Sequence, residues 1–134
     1  MANYVNELVK SLYDLLDKQL FCDAVILADD GELPAHSLVL SAASPIVCRT
    51  FANLANSDGT YRVRFHIPLP GCNVATIRIL LRFLYTGELI IPVQQSCVEH
   101  FHKVIAACGQ LGIDVNRMNG AKVVLQNFES GNSG

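Results

Sequence analysis

Apolar and polar residues recur along this chain with two different periods, which divides it into helices and strands. Near the N-terminus, apolar residues recur every three or four positions. This spacing predicts an amphipathic helix from Asn3 to Gln19, with Asn3 as its N-cap. The apolar positions of this helix are Val5, Leu8, Val9, Leu12, Leu15 and Leu16. Such a helix packs either on its own core or across a partner, and the pattern alone leaves both alternatives open.

The segment that follows the helix predicts a β-hairpin. The run from Phe21 to Ala28 is apolar and β-branched, which favours a strand. Asp30-Gly31 is a strong signal for a tight turn, and it leads into a short return strand from Glu32 to Ala35. The two strands are therefore expected to pair with each other.

Two helices are predicted directly after the hairpin. The apolar residues from His36 to Ala43 favour a short helix. Ser44 followed by Pro45 supplies an N-cap and a proline at the first helical position, so a second helix is expected from Pro45 to Leu54. Residues 56–59 are polar and end in glycine, and a loop is expected there.

The second half of the chain continues the mixture of strands and helices. Apolar and polar residues alternate from Tyr61 to Ile67, which predicts a half-buried strand that Pro68 ends. The other predicted elements are a mostly apolar central helix from Val74 to Tyr85, a strand from Glu88 to Pro92, a helix from Gln94 to Gln110 and a strand from Ala121 to Phe128. Together these elements predict a single α+β domain with a small sheet and several helices.

The composition adds a surplus of apolar residues to this pattern. Apolar residues make up 51% of the 134 residues and charged residues 16%, which is rich in core material for a soluble domain. A domain of this size buries only part of its surface on folding, so some apolar residues are expected to cover another chain. The composition thus favours a protein-binding function.

Charge and cysteine usage argue against several other classes of protein. The ten basic and twelve acidic residues are scattered and give a net charge of −2, so direct contact with nucleic acid is not expected. The most apolar stretch is much shorter than the ~20 residues of a membrane span, so no membrane contact is expected. Five widely spaced cysteines without a C-x-x-C pair are expected to be reduced thiols in a reducing compartment.

One group of residues has the spacing of metal ligands. Cys97 and His100 are three positions apart on a predicted helix, and Cys108 lies further along the same side. The apolar residues around them share that helical face, which comprises Cys97, Val98, Phe101, Val104, Ile105 and Cys108. A structural zinc site needs four convergent ligands, so this face is interpreted as core, and a small metal-dependent enzyme remains the alternative. No known catalytic motif occurs in the chain, and neither catalysis, a metal nor a cofactor is expected.

Three segments, in matching order and spacing, resemble the BTB/POZ family. The first comprises residues 21–27 and 34–45, the second comprises residues 81–87, and the third comprises residues 104–108. The resemblance implies a BTB/POZ fold, a small mixed sheet flanked by a cluster of α-helices, with the N-terminal helix at a homodimer interface. We therefore expect a BTB/POZ domain over residues 1–120, with its dimerisation helix at residues 3–19. A strand-like segment and a flexible tail are expected over residues 121–134.

The resemblance also implies two alternative functions. Members of the family dimerise and recruit corepressors at the front of nuclear zinc-finger transcription regulators, or they bring substrates to the cullin scaffold of ubiquitin ligases. Our main hypothesis is a homodimeric module of a nuclear transcription repressor. The alternative is a cullin adaptor, for which a cytoplasmic location is expected. Both are binding functions without catalysis.

The chain departs from both branches of the family. In the transcription-regulator branch, the aspartate matching Asp23 commonly faces a basic residue directly after the histidine matching His36, but Ser37 stands there in this chain. Asp23 is therefore expected to accept hydrogen bonds from a backbone N–H or from the Ser37 hydroxyl. A partner pocket is predicted at Asp23, His36 and Ser37. In the adaptor branch a hydrophobic-x-Glu pattern follows the helix that ends near Phe51, and residues 52–57 contain no glutamate.

Overall fold

The computed structural model describes residues 3–58, 65–92, 97–114 and 122–126. In these ranges the chain forms five helices and five strands, which confirms the predicted mixture of a small sheet and a cluster of helices. In chain order they are α1 (Tyr4–Asp17), β1 (Ala24–Ala28), β2 (Gly31–Ala35), α2 (Ser37–Ala43), α3 (Pro45–Asp58), β3 (Phe65–Pro68), α4 (Val74–Thr86), β4 (Glu88–Pro92), α5 (Cys97–Gln110) and β5 (Lys122–Gln126).

Three of the strands form a mixed sheet in the order β2-β1-β3. The central strand β1 pairs antiparallel with β2 and parallel with β3, and Ile26 lies opposite both Leu33 and Ile67. These three side chains are buried, because alternate residues of each strand point to the same face of the sheet. The other two strands, β4 and β5, pair in parallel, so the strand predicted near the C-terminus lies beside β4.

The hairpin turn differs by one residue from the prediction. Asp29 and Asp30 form the turn, and Gly31 already belongs to β2, where it pairs with Ala28. The Asp29 carboxylate accepts a hydrogen bond from the backbone N–H of Gly71, and Oδ1 of Asp30 accepts one from the N–H of Val74 at 2.8 Å. These bonds hold the turn against the start of α4. A glycine in the turn could not form them, because it has no side-chain acceptor.

Two element boundaries that fall on described residues differ from the prediction by three residues or more, and the others that fall there differ by no more than two. β1 begins at Ala24 rather than at Phe21, because Phe21 has a φ of 64°, in the left-handed region that a strand cannot contain. α3 continues to Asp58, so residues 56–58 are helical rather than part of a loop. The polar residues at this end do not stop a helix, and the first glycine after Pro45 is Gly59. Residues 59–64, 93–96, 115–121 and 127–134, on which other predicted boundaries fall, lie outside the described residues.

The central helix α4 is the middle of the core, as its apolar pattern predicts. Seven of its residues are buried, among them Ile77 and Leu80, and it packs against α1, α5 and β4. The Asn73 side chain caps its first turn by accepting a hydrogen bond from the N–H of Thr76, and Gly87 ends it with a φ of 79°. No helix in the described part of the chain is both long enough and apolar enough to cross a membrane.

The helices α3 and α5 are fixed to the rest of the fold by side chains at their ends. Buried Ser44 caps α3 as predicted, since its hydroxyl oxygen accepts the N–H of Val47, and the same hydroxyl donates to the carbonyl oxygen of Leu111 beyond α5. On α5 the predicted apolar face is partly wrong: Val98 is 64% exposed, whereas Val104 and Cys108 are buried. Val98 lies at the edge of that face, so the helix turns it away from the core.

Candidate interaction surface

The predicted interface residues of α1 divide into covered and uncovered positions. Leu16 is buried in the core of its own chain, and Val9, Leu12 and Leu15 are half-buried. Val5 is 61% exposed and Leu8 is 41% exposed, although both are apolar. The helix therefore uses its last turns to pack on its own domain and leaves an apolar stripe over its first turns.

Aromatic and charged side chains fix α1 on α4 in this orientation. The ring of Tyr13 packs edge-on against Tyr85, with 6.1 Å between the ring centres. The guanidinium of Arg82 lies 5.2 Å from the centre of the Tyr13 ring and also pairs with the Glu88 carboxylate at 3.1 Å. The exposed stripe is thus presented by a helix that its own core holds in place.

An apolar groove continues the stripe between α1, α2 and α4. It has a volume of about 400 Å³, and its walls are Leu12, Leu38, Val39, Ala42, Ala43, Leu84 and Tyr85. Leu38, on the outer wall, is 81% exposed. Groove and stripe together form an uncovered apolar surface, a feature that marks interaction sites on soluble domains. We call it the α1–α2 surface.

Asp23 and Ser37 are bonded to each other at the start of α2. The backbone N–H of Ser37 donates to Oδ1 of Asp23 at 2.7 Å, and the Ser37 hydroxyl donates to Oδ2 at 2.6 Å. This confirms the predicted hydrogen bonds of the carboxylate, since both anticipated donors are used. The Asp23 side chain remains exposed to solvent, so its charge faces outward without a neighbouring cation at Ser37.

His36 turns inward from the same position and connects three elements. Its Nε2 lies 2.8 Å from the carbonyl oxygen of Leu20, and its Nδ1 lies 2.7 Å from the Tyr85 hydroxyl. A carbonyl oxygen can only accept, so Nε2 carries a hydrogen, and in the tautomer with Nδ1 unprotonated the Tyr85 hydroxyl donates to Nδ1. The Tyr85 oxygen in turn accepts the backbone N–H of His36 at 3.1 Å. His36 therefore holds the end of the α1–β1 connection, and sequence reasoning placed it in the pocket without this role.

The α1–β1 connection contains two residues with left-handed backbone. Gln19 has a φ of 57° and Phe21 has a φ of 64°, and neither is a glycine. Phe21 is 80% exposed, and Leu20 between them is also exposed. The sequence analysis did not consider this turn as a candidate site, because Gln19 was included in the predicted helix and Phe21 in the predicted strand. The signal in the sequence was the pair of large apolar residues, Leu20 and Phe21, directly after the predicted helix.

The alternative metal site receives no support from the geometry. No group of three histidine, cysteine or acidic side chains that could hold a metal ion occurs among the described residues. Cys108 is buried in the core, and burial raises the pKa of its thiol, which favours the neutral form over a ligating thiolate. The side chain of Cys97 lies outside the described residues.

A family model of the BTB/POZ domain matches residues 12–115. This chain belongs to the BTB/POZ family. The match spans α1 from Leu12, both strands of the hairpin and all elements through α5, which confirms the resemblance. As a BTB domain, it is a protein–protein interaction module.

The curated relatives of this BTB domain include Kelch-like proteins. Kelch-like protein 2 of Rattus norvegicus is 30% identical over 108 residues, which cover 81% of this chain and 17% of that protein. Kelch-like protein 3 of Homo sapiens is 29% identical over 128 residues, which cover 82% of this chain and 21% of that protein. The chain thus spans about a fifth of the length of these relatives.

Two solved BTB structures share the fold. The BTB domain of zebrafish PATZ1 aligns with a TM-score of 0.62 at 19% identity, over 84% of this chain and 88% of that chain. The BTB domain of human Gigaxonin aligns with a TM-score of 0.61 at 24% identity, over 89% of this chain and 92% of that chain. At these identities the likeness establishes the BTB fold alone.

Alkaline titration tests the burial of Tyr85 beneath the surface. Burial raises its pKa to about 12, above the ordinary tyrosine value of about 10. Because the folded-state pKa is the higher one, this group's contribution to stability is complete below about pH 10 and is lost as the pH rises towards 12. The phenolate absorbance of the native domain minus that of a Tyr85→Phe variant isolates this one group. A pKa near 10 for Tyr85 in this difference titration would contradict its burial and its hydrogen-bond network.

Proposed function

We propose that this BTB domain homodimerises through the α1–α2 surface and presents the dimer to other proteins. The observation that carries the proposal is the apolar stripe of α1, where Val5 and Leu8 are exposed on a helix that is otherwise packed on its own core. Covering about 800 Å² on each partner is usual for a stable interface, and a helix with an adjoining groove provides a surface of that kind. The family resemblance supports the same use of the helix.

The first candidate for the whole protein is a nuclear transcription repressor, in which the dimer recruits corepressors. Two residues of the predicted pocket, Asp23 and Ser37, bond to each other next to Leu38 in the chain, and the Asp23 side chain is exposed to solvent, whereas His36 is buried. In this chain the pocket lacks the basic residue that the resemblance associates with corepressor binding. Recruitment through the pocket is therefore proposed to be weak.

The second candidate is an adaptor of a cullin-based ubiquitin ligase, with a cytoplasmic location. The curated relatives support this candidate, since several are Kelch-like proteins, and one is named as a Kelch repeat and BTB domain-containing protein. The absence of a glutamate in residues 52–57, which lie at the C-terminal end of α3, argues against it. Homodimerisation and binding of a further protein are common to both candidates.

A Ser37→Arg substitution tests the pocket. The arginine is expected to pair with the exposed Asp23 carboxylate and to tighten binding of a fluorescent corepressor peptide by up to about 5-fold, since an exposed ion pair contributes about 0.2–1 kcal/mol. The gain should disappear as salt is raised. Ser37→Ala is the matched control, because it removes the same hydroxyl without adding charge. Tight binding by the native domain that the arginine leaves unchanged or weakens would contradict the role of the missing cation.

Titration with a purified cullin discriminates between the two candidates. Micromolar or tighter binding of cullin, with no measurable binding of the corepressor peptide, would establish the adaptor and reject the repressor. The reverse result would establish the repressor. Both titrations use the same dimeric preparation, so a difference between cullin binding and peptide binding cannot result from a difference in folding.

A further inference from the structure

The connection from α1 to β1 is held in an unfavourable backbone conformation by contacts from outside it. α1 ends at Asp17, and Gln19 takes the left-handed φ of a common helix C-cap, whereas the left-handed φ of Phe21 is rare for a bulky side chain. The N–H of Leu20 donates to the carbonyl oxygen of Leu15 at 2.9 Å, and the carbonyl oxygen of Leu20 accepts from Nε2 of buried His36 at 2.8 Å. The conformation is therefore fixed by the fold.

This fixed turn presents apolar side chains to solvent. The rings and alkyl groups of a loop normally turn inward, yet the Phe21 ring and much of Leu20 are uncovered. Strained backbone that a fold maintains, rather than relieves, marks functional positions. The turn therefore has the properties of an anchor, a rigid aromatic side chain that is ordered before it binds.

The α1–α2 groove begins close to this turn in the fold. Asp23, two residues after Phe21, bonds to Ser37, which is the neighbour of Leu38 on the groove wall. The groove is lined by aliphatic side chains and Tyr85 and has a volume of about 400 Å³, which admits a phenyl ring. A surface that carries both an anchor and a groove can pair with a copy of itself, because a two-fold axis between the two chains brings the anchor of each chain to the groove of the other.

We propose that Phe21 of each chain inserts into the α1–α2 groove of a second copy. The proposal rests on the proposed homodimerisation and adds to it the residue that anchors the dimer and the groove that receives it. His36 is a positioning residue in this arrangement, because it holds the carbonyl oxygen of Leu20 and through it the turn. Tyr85 holds the His36 ring and also lines the groove that receives Phe21 of the other copy.

A pair of serine substitutions measures the contribution of the anchor. Phe21→Ser is expected to raise the dimer dissociation constant by about 30-fold or more, the effect of losing a buried aromatic anchor. Val98→Ser is the matched control, since it removes an apolar residue of α5 that is also largely exposed, at 64% against 80% for Phe21, and lies outside the surface. Phe21→Gly is a second variant, because glycine relieves the left-handed backbone and keeps the monomer folded. Equal dissociation constants for Phe21→Gly, Val98→Ser and the native domain would overturn the proposal.

Photo-crosslinking identifies the receptor independently of affinity. p-Benzoylphenylalanine at position 21, in an equal mixture of unlabelled and ¹⁵N-labelled chains, is expected to give mixed-isotope crosslinks to residues 38–43 or Leu84. A native dimer whose crosslinks stay within one chain, or map to any other surface, would overturn the anchor and leave the proposed homodimer intact. A native domain that stays monomeric at all concentrations would overturn both.

Discussion

Replacing Tyr85 with phenylalanine is expected to lower the free energy of unfolding by about 2–3 kcal/mol, a large loss for a single oxygen atom. The hydroxyl donates to Nδ1 of His36 and accepts the backbone N–H of the same residue, at 2.7 and 3.1 Å. Tyr85 is 4% exposed and His36 is also buried, so water cannot replace the lost partners without opening the core. Two buried polar groups of His36 would be left unsatisfied.

The measurement is chemical unfolding at a fixed protein concentration, because a dimer makes apparent stability depend on concentration. Tyr4→Phe is the control, since it removes a hydroxyl from an exposed tyrosine of α1 and is expected to change stability by less than about 0.5 kcal/mol. Equal stability of the Tyr85 and Tyr4 variants would show that the His36 network contributes nothing. A loss in Tyr85→Phe alone supports the network.

Replacing Val5 and Leu8 together with aspartate is expected to convert the dimer to folded monomer. Both side chains are exposed in one chain, so the monomer itself should tolerate the change. At the proposed interface each aspartate would be buried without a partner, and the combined effect is expected to raise the dimer dissociation constant by about 1000-fold or more. Sedimentation velocity reports the mass, and circular dichroism reports whether the fold is kept.

The matched control places the same change in charge on the opposite side of α1. Asn6→Asp with Lys10→Gln alters two exposed positions and adds the same net negative charge. This control should remain dimeric, because those positions face away from the α1–α2 surface. A dimer that survives the Val5 and Leu8 substitutions unchanged would contradict the role of α1. Dissociation of both double variants would indicate a general effect of charge instead.

The elements could be predicted from the sequence where local chemistry determines them. The two predicted N-caps, Asn3 and Ser44, each accept a backbone N–H at a helix start, so N-cap residues are a sound guide in this fold. Asn73 does the same at the start of α4, although it was not predicted as a cap. Gly87 likewise ends α4 in the left-handed conformation that glycine favours. Apolar periodicity failed at the edges of faces, as at Val98, because it does not specify how far a helix is rotated into the core.

Contacts in the candidate site could be predicted from the sequence only where a side chain needs a hydrogen-bond partner. Asp23 needed donors in the absence of a basic neighbour, and this requirement pointed to Ser37. The bond between His36 and Tyr85 joins residues 49 positions apart, and nothing in local spacing anticipates it. The turn at Leu20 and Phe21 was missed for the same reason, since a distant histidine holds its backbone.

Sedimentation equilibrium of the unaltered domain over a wide range of concentrations tests the central claim most directly. Homodimerisation through the α1–α2 surface predicts a mass of twice the 14.6 kDa chain over most of the range, with dissociation only at high dilution. The apolar stripe and groove give the physical reason, because their uncovered surface is removed from water in the dimer. A mass of 14.6 kDa at every concentration, with the fold intact, would contradict the account.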